Sequence, residues 1–402
     1  MTEQVLVIGA GPAGIAAAYY LDKAKISYKV VDKADIIAST WASLYPSLRL
    51  NTTRFYSHLP DQKFPLRYGM FPSGKQYHAY LVDYVNKHDF NIHLGVTVDR
   101  VYQVDDLWRV EWHIEDASGV DDYKAIISAS GRFNTPILPK IPGMEDFEGQ
   151  IIHAQDYLAP EPFANKRVMV VGNGPSGVDI ASELGNTVAS KPVLLAQRTG
   201  VVLRPRYPWG LPKHLWKIIT EKLPKFIGDP LYAKISSLKY NEKQMRGIKT
   251  PSNEEESSAA GGTRGWELVS AVRAGNVETV DAPIKFYPQE VEVENGMRYP
   301  LDVVIMATGY GFTLYDYLEI DLPEHDRYGW PLRLDELDEG GKRQVKGYPG
   351  LYLVGVFYQG KGAMFNFNTE AEQAVEEIKE RLKTLGDAST IAQSETQSGI
   401  MR

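Results

Sequence analysis

A strand, a glycine-rich turn and a helix follow one another twice in this chain, and this repeat limits the possible folds more than any other feature. The first copy begins at Val5 and the second at Lys166. The turn glycines are Gly9, Gly11, Gly14, Gly172, Gly174 and Gly177. In such turns the glycines permit a tight bend, close approach to a pyrophosphate and close helix–strand packing. The repeat predicts an α/β fold with two Rossmann-like units and two dinucleotide sites, or one such site and one copy that binds no nucleotide.

The residue that ends the second strand of each unit indicates which dinucleotide the unit binds. The strand Tyr28–Val31 is followed by Asp32. An acid at this position accepts hydrogen bonds from an adenosine ribose and repels a 2′-phosphate. The equivalent strand, Pro192–Ala196, is followed by Gln197 and Arg198. Arginine can bind a 2′-phosphate, so we predict NADPH rather than NADH at the second site. Both residues could instead be ordinary solvated charges at strand ends.

Composition excludes several classes of function. The chain has 402 residues and a formal net charge of −7, which argues against general nucleic-acid binding. It contains no cysteine, so a dithiol relay is excluded and electrons must leave from the cofactor itself. The first strand begins a few residues after Met1, and no apolar run is long enough to span a bilayer. We therefore expect a cytoplasmic protein, with a homodimer as a possible assembly.

Two similar strand endings predict where the chain crosses between domains. One buried strand ends at Gly131 and another at Gly309. Between 96 and 130, alternating patterns predict a three-stranded meander whose third strand is Tyr123–Ala129. We predict one domain from residues 1–158 and 307–402, which holds the first site. The second domain is predicted to span residues 159–306, with a basic helical insertion at about 204–260.

The insertion interrupts the α/β pattern and is strongly basic. Residues 204–250 contain eleven lysines and arginines against three acids, or about +8. Apolar residues between 215 and 223 have the spacing of an amphipathic helix. Such a helix could dock on a membrane surface, or it could form a lid or a partner-binding face over the active cleft. We favour the lid or partner face, because polar residues keep the apolar face short.

Several motifs together resemble the flavin-containing monooxygenase family. The stretch Phe147–Tyr157 reads FEGQIIHAQDY and matches that family's F-x-G-x-x-x-H-x-x-x-[YF] signature just before the second glycine turn. The A-T-G-Y at Ala307–Tyr310, the N-T-T at Asn51–Thr53 and Trp41 match further family motifs. The chain is also similar to bacterial members and to plant YUCCA-type enzymes in its compact length and in its I-A-S-T-W stretch, Ile37–Trp41. It keeps Asn51, unlike YUCCA-type sequences.

The resemblance implies a class B flavoprotein monooxygenase with FAD at the first site and NADPH at the second. NADPH would reduce FAD, and the reduced flavin would capture O2 as a C4a-hydroperoxide. This species would transfer an oxygen atom to a soft nitrogen or sulfur nucleophile or to a carbonyl carbon. The partners would be a small-molecule substrate and O2, without nucleic acid. The protein's task would be positioning and shielding, because the flavin carries the chemistry.

The same resemblance implies roles for individual residues. Asn51 would lie over the reactive edge of the flavin, although an asparagine in a plain turn is the alternative. His153 and Tyr157 would lie at the domain junction near the nicotinamide cofactor and act in hinge and orientation, not as bases. With the turn glycines, Asp32 and Arg198, the other residues predicted to line the cofactor sites are Pro12, Ala13, Lys33, Thr40, Trp41, Thr52, Val98, Gly131, Pro175, Ser176, Thr308, Gly309 and Met364.

Two departures from the family pattern narrow the expected activity. Tyr157 is followed by Leu158 rather than by the W-P pair of Baeyer–Villiger relatives, so ester-forming oxidation of ketones is less favoured. Ala38 and Ser39 replace the common Gly-Gly before Trp41.

Two other functions remain open beside oxygenation. One is an NADPH oxidase or flavin reductase that passes electrons to oxygen or a quinone. The other is a redox-responsive binding module whose contact face is the basic insertion.

Overall fold

The computed structural model describes residues 4–133, 135–187, 190, 192–252, 262–311, 314–320, 343–345, 347–356 and 362–399. Its strands in chain order are β1 Val5–Ile8, β2 Tyr28–Asp32, β3 Ile92–Leu94, β4 Thr97–Val104, β5 Leu107–Ile114, β6 Ala117–Tyr123, β7 Ala125–Ser128, β8 Thr135–Pro136, β9 Gln150–His153, β10 Val168–Val171, β11 Val193–Gln197, β12 Val202–Arg204, β13 Gly262–Arg264, β14 Val277–Asp281, β15 Pro283–Phe286, β16 Glu290–Val293, β17 Arg298–Pro300, β18 Val303–Met306, β19 Tyr310–Gly311 and β20 Leu351–Leu353. Its α-helices are α1 Pro12–Ala24, α2 Ser39–Ala42, α3 Gly74–His88, α4 Pro175–Asn186, α5 Lys213–Thr220, α6 Lys225–Ser236, α7 Glu267–Arg273 and α8 Ala363–Gly399.

The first parallel sheet has the strand order β20-β7-β1-β2-β3. Its short central strands are apolar because both faces of the sheet are covered. Along β1, Val5 and Val7 pack against α1 and α8, whereas Leu6 and Ile8 face the antiparallel sheet β4-β5-β6. Successive side chains of β1 therefore pack into two different cores, one on each face of the sheet.

The second parallel sheet has the order β14-β11-β10-β18-β9. Helices α4 and α7 cover one face, and the antiparallel strands β15, β16 and β17 cover the other. The predicted α/β fold with two Rossmann-like units is therefore confirmed. The division into domains stays a prediction, and its boundary at residue 158 lies after β9, which pairs in the second sheet.

The meander prediction was wrong in its third strand. The third strand is β6, Ala117–Tyr123, while Ala125–Ser128 leaves the meander and pairs with β1 in the first parallel sheet. β6 has only two strand-forming residues, Val120 and Tyr123, and is held by its register with β5. The all-apolar β7 fits a strand that is buried on both faces. The pair Asn295-Gly296 predicts a hairpin between Glu290–Glu294 and Arg298–Met306. The strands β16 and β17 form this hairpin, but Val303–Met306 pairs in the second sheet instead.

Helix α8 is longer than the sequence pattern predicts. The expected helix runs from Thr369 to Leu385, with a frayed tail after it, whereas α8 begins at Ala363 and continues to Gly399. Its first turns pack on the core of the first sheet, and packing of this kind overrides weak local propensity. The sequence also predicts a mobile loop at Asn253–Thr263; residues 253–261 lie outside the described residues, and residues 262 and 263 belong to β13. No helix in the part of the chain that the structure describes is long and apolar enough to cross a bilayer.

Candidate functional site

The first glycine turn connects β1 to α1 and has one glycine that faces open space. Gly9 has φ of +111°, and a Cβ there would overlap the carbonyl oxygen of Ala129. A Cβ on Gly14 would overlap the carbonyl oxygen of Gly9. A Cβ on Gly11 would have no atom within 4 Å. The outer glycines are therefore required by packing, whereas Gly11 leaves a cradle next to the start of α1, where Pro12 and Ala13 begin the helix.

The second turn repeats this arrangement between β10 and α4. Gly172 has φ of +125°, and a Cβ there would overlap the carbonyl oxygen of Ala307. A Cβ on Gly177 would overlap the carbonyl oxygen of Gly172, whereas one on Gly174 would have no atom within 4 Å. Pro175 and Ser176 form the first turn of α4. Both turns thus have the shape of a phosphate cradle.

Asp32 ties the end of β2 to the first glycine turn. Its Oδ2 accepts a hydrogen bond of 2.7 Å from the Ala10 amide, and its Oδ1 accepts one of 2.9 Å from the Ala34 amide. A carboxylate has about four lone-pair sites, so it can still accept from a ribose hydroxyl. Lys33 is exposed beside it, and Val98 lies on β4 opposite Trp112.

Arg198 lies exposed directly after β11, at the same sheet edge as the second glycine turn. Its neighbour Gln197 is buried, and the side-chain amide of Gln197 has no hydrogen-bond partner in the described part of the chain. The Asn173 side chain donates to the carbonyl of Gly200 and so closes the loop between these positions. Arg198 is therefore exposed at the sheet edge from which the Gly174 turn also leaves.

His153 lies at the end of β9 and joins the two segments that cross between the sheets. Its Nδ1 accepts a hydrogen bond of 3.1 Å from the Gln155 amide, so Nε2 carries the proton and donates to the Gly309 carbonyl at 3.1 Å. Burial lowers the pKa of the imidazole below its usual range. The Gly309 carbonyl also accepts from the Ile137 amide, and the Thr308 hydroxyl donates to the Ile137 carbonyl at 2.5 Å.

The two crossings end in equivalent glycines. Gly131 follows β7 with φ of +82°, and Gly309 follows β18 with φ of +91°. A Cβ at either position would meet no atom within 4 Å, so both glycines border open space at the carboxyl edges of the sheets. The segments after them pair as β8 and β19. The structure thus brings Gly131, Thr308, Gly309 and His153 to one junction.

Tyr157 follows the signature strand β9 and is buried. Its ring is fully buried in the core of the second sheet, and its hydroxyl donates a hydrogen bond of 2.8 Å to Glu183 on α4. Burial, followed by the bond to Glu183, raises the pKa of this phenol far above its usual value. The contacts of Tyr157 therefore serve to hold α4 against the signature segment.

The chain from Trp41 in α2 to Asn51 passes from the core of the first sheet into the core of the second sheet and back. Trp41 packs edge-on against Tyr77 in the first core, with ring centres 4.5 Å apart, and Thr40 beside it is exposed. Four residues after Trp41, Tyr45 is buried in the second core. Leu50 is again in the first core, and Asn51 follows it at the surface. Asn51 therefore lies where the chain has just crossed between the two nucleotide-binding units.

Tyr45 contacts α4, the helix that follows the second glycine turn. Its hydroxyl donates a hydrogen bond of 3.3 Å to Oδ2 of Asp179 on α4. Burial raises the pKa of Asp179 to about 6, although the Tyr45 bond and the charge of Arg206 act in the opposite direction. The sequence analysis missed this pair, since the partners are far apart in the chain and no local pattern marks either one.

Three elements meet beside Asn51. The Thr52 hydroxyl lies 2.5 Å from that of Ser57, and a Cβ on Gly362, just before α8, would overlap Thr52. Met364 in the first turn of α8 packs against the first core. The Tyr56 ring lies 5.5 Å from that of Phe365 on α8 and 5.9 Å from that of His214 on α5. The insertion thus reaches the Asn51 segment through an aromatic cluster.

Glu370 is a second group that the sequence analysis did not find. Glu370 lies on α8, and its buried carboxylate accepts a hydrogen bond of 2.7 Å from the amide of Gly355, two residues after β20. Burial raises its pKa to about 7. A signal was present, because Glu370 stands in helical register with the buried Ala374 and Ile378.

Comparison with known proteins identifies the family. Residues 3–325 match the family model described as flavin-binding monooxygenase-like. The chain is 29% identical over 369 residues to the probable indole-3-pyruvate monooxygenase YUCCA8 of Arabidopsis thaliana, covering 88% of this chain and 84% of that protein. It is also 29% identical over 322 residues to the indole-3-pyruvate monooxygenase YUCCA1 of Oryza sativa subsp. japonica, covering 78% of each.

Solved structures show the same fold. The flavin-containing monooxygenase from Stenotrophomonas maltophilia superposes with a TM-score of 0.68 at 22% identity, covering 94% of this chain and 99% of that one. The open form of cyclohexanone monooxygenase gives a TM-score of 0.66 at 18% identity, covering 97% and 88%. The predicted family resemblance is confirmed. This chain belongs to the flavin-binding monooxygenase-like family and is a flavin-dependent monooxygenase.

Proposed function

We propose that this enzyme uses FAD and NADPH to transfer one oxygen atom from O2 to a small molecule in the cytoplasm. FAD is assigned to the Gly11 cradle and NADPH to the Gly174 cradle. The observation that carries the proposal is the path of the segment from Trp41 to Asn51, which enters the second core at Tyr45 and returns to the first at Leu50. This path favours Asn51 as the residue shared by the two nucleotides.

The residues at the two turns fit these cofactors. The helix amides after Gly11 and Gly174 are suited to the two pyrophosphates, and the open space over each glycine admits them. Asp32 holds the first turn and can accept from the ribose of FAD. Arg198 is suited to the 2′-phosphate that distinguishes NADPH from NADH. When bound, FAD accepts a hydride from NADPH and activates O2.

The chain's own residues act by binding, orienting and excluding water. The side-chain amide of Asn51 can donate a hydrogen bond toward the reactive edge of the flavin. His153 is held neutral with both ring nitrogens engaged, so its role is to fix the crossing at Gly309 and not to accept a proton. Helix α5 reaches the Asn51 segment through the contact of His214 with Tyr56 and is placed to act as a cover on the insertion side. Such a cover would protect the oxygenating flavin from water.

The substrate class is proposed from the chemistry of the site's surroundings. The described residues beside Asn51 include the rings of Tyr56, Phe365 and His214, which suit a small apolar or aromatic molecule. Relatives at 29% identity are named for indole-3-pyruvate, an aromatic α-keto acid. We therefore propose a soft nitrogen or sulfur nucleophile or an α-keto acid as substrate. Ketone-to-ester oxidation is the less favoured outcome, because Leu158 stands where Baeyer–Villiger relatives have the W-P pair.

The test is a two-stage reaction of the FAD-loaded protein. NADPH added without oxygen is expected to bleach the yellow flavin. Oxygen is then admitted with a panel of thioethers, amines and α-keto acids, and the products are weighed by mass spectrometry. We expect one member of the panel to react in proportion to the NADPH used. A thioether or an amine would gain one oxygen atom, whereas an α-keto acid would gain one oxygen atom and lose CO2, leaving the carboxylic acid that is one carbon shorter. Hydrogen peroxide equal to NADPH with every compound would instead indicate an oxidase.

A further inference from the structure

The turn between α5 and α6, together with the start of α6, carries several exposed apolar side chains. Residues 221–227, the insertion tip, read E-K-L-P-K-F-I, and every one of them is exposed. The exposed fractions are 37% for Leu223, 79% for Phe226 and 46% for Ile227. Trp209, Leu211 and Ile219 of the same insertion are also exposed. Apolar residues gathered in this way mark an interaction surface.

The insertion tip cannot bury these side chains by folding back. Gly228 behind it is buried, and a Cβ there would overlap the carbonyl oxygen of Thr220, so the two helices are in close contact at the turn. The Leu223 amide donates to the Thr220 carbonyl at 3.1 Å, and the Ile227 amide donates to the Pro224 carbonyl at 2.9 Å. The inner side of the pair is occupied, because His214 and Ile235 are buried. The insertion therefore has a buried inner side, which includes His214, and an exposed outer tip.

Charge is distributed to favour an anionic partner. Residues 204–250 carry eleven basic and three acidic residues, or +8, whereas the whole chain carries −7. The rest of the chain therefore carries −15, since −7 minus +8 is −15. Lys222 and Lys225 flank Leu223 in the insertion tip, and Lys213 and Lys217 lie 5.7 and 4.6 Å from the Tyr232 ring on the same pair of helices. An acidic surface would attract this face and repel the rest, which sets one orientation.

We propose that the insertion tip is a peripheral docking site for an anionic lipid bilayer. Phe226, Ile227 and Leu223 enter the interface between headgroups and acyl chains, while Lys222 and Lys225 lie at the level of the lipid phosphates. The exposed tip, in which two lysines are interspersed with apolar residues, suits a soft interface that closes around it. A protein partner would need a matching pocket. The contact is reversible, because three partly buried side chains and two lysines make a weak anchor.

The experiment measures binding of the FAD-loaded protein to vesicles by cosedimentation. Vesicles of phosphatidylcholine alone are compared with vesicles that also contain phosphatidylglycerol. We expect binding only to the anionic vesicles, weakened by salt. The variants Phe226→Ser/Ile227→Ser and Lys222→Glu/Lys225→Glu are each expected to weaken binding at least about tenfold. Turnover without vesicles is expected to stay unchanged in both, which shows that the variants are folded.

Matched controls make each result decisive. Ile284→Ser/Met297→Ser removes two exposed apolar side chains elsewhere, and Lys75→Glu/Lys140→Glu changes the net charge by the same amount. Both are expected to bind like the wild type. Absence of vesicle binding, equal binding to neutral vesicles, or equal loss in the controls would overturn the proposal. It would also be overturned if the wild type formed a dimer in light scattering that the tip variants abolish, since the occupant would then be a second copy.

Discussion

The imidazole Nε2 of His153 and the main-chain carbonyl of Gly309 lie 3.1 Å apart and connect the signature strand to the segment that returns toward the first sheet. The same carbonyl accepts from Ile137 in the outgoing segment. The carbonyl oxygen of Gly309 therefore accepts hydrogen bonds from both the signature strand and the outgoing segment. A neutral imidazole with a fixed tautomer is required for this arrangement, because its other nitrogen must accept from Gln155.

We predict that His153 makes the protein sensitive to acid. Burial lowers the pKa of His153 in the folded state, so the unfolded chain takes up its proton first as the pH falls. The contribution to stability is complete above the usual pKa of 6.5 and is lost as the pH falls below it. His153→Gln keeps a donor for Gly309 but does not titrate. Thermal unfolding from about pH 8 to about pH 5 should therefore show a smaller loss in the variant than in the wild type.

The exposed His93, whose ring contacts the neutral side chain of Asn91, supplies the control for this experiment. The variant His93→Gln is expected to follow the wild-type curve. If His153→Gln lost as much stability as the wild type over this pH range, the buried neutral imidazole would not be the cause.

Asp179 is predicted to destabilise the folded protein at neutral pH. Burial raises its pKa from 3.8 to about 6, so the folded state binds more protons between these values and loses stability as the pH rises through about 6. Asp179→Asn keeps an acceptor for Tyr45 and removes the buried charge. We expect a gain in unfolding free energy of at most about 3 kcal/mol above pH 6, which vanishes below about pH 4. Denaturant unfolding at both ends of the range checks this, with the exposed Asp229→Asn as control.

A gain that did not change with pH, or a loss at high pH, would contradict this account of Asp179. The first result would assign the effect to packing. The second would mean that the ionised carboxylate is stabilised in the fold.

The glycine turns predict a separation of binding from folding. Gly11→Ala and Gly174→Ala add a methyl group to open space and are expected to leave the fold stable. Gly11→Ala should abolish tight FAD binding, because the methyl group occupies the first pyrophosphate cradle. Gly174→Ala should keep FAD but weaken NADPH binding at least about tenfold for the same reason at the second cradle. Gly14→Ala and Gly177→Ala overlap carbonyl oxygens and are expected to lower the melting temperature instead. Flavin content, NADPH titration and melting curves distinguish the four variants.

Arg198 is predicted to select the phosphorylated cofactor. Removing the guanidinium in Arg198→Ala should raise KM for NADPH by about tenfold or more and leave KM for NADH nearly unchanged. Steady-state kinetics with both cofactors measure the ratio. Lys166→Ala, on the same unit but before β10, is the matched loss of one positive charge. Equal effects of Arg198→Ala on both cofactors would mean that the side chain does not contact the 2′-phosphate.

The two glycine turns were predictable because each is a local pattern with a local cause. Gly9 and Gly172 are required by the bend, and Gly14 and Gly177 by the distance between helix and strand. The fold class followed from them, and the signature Phe147–Tyr157 led to the family. The structure adds that Tyr157 is buried in the core of the second sheet.

Features that depend on partners far apart in the sequence could not be predicted. Tyr45 lies in a stretch without periodicity, and its partner Asp179 is 134 residues away. The third strand of the meander was wrong because β6 is polar and is ordered by its neighbour, whereas the apolar Ala125–Ser128 is taken up by the first sheet. Glu370 could have been suspected from its helical register, but its partner, the Gly355 amide, depends on the tertiary fold.

The most direct test of the account is the coupling of oxygen transfer to NADPH use in Asn51→Ala. With a substrate found in the panel, the wild type is expected to form about one oxygenated product for each NADPH consumed. In the variant, reduction of FAD by NADPH should keep its rate, while most of the oxygen is released as hydrogen peroxide and product formation falls by about tenfold or more. A variant that oxygenates the substrate with full coupling would contradict the central claim that Asn51 lies at the reactive edge shared by the two nucleotides.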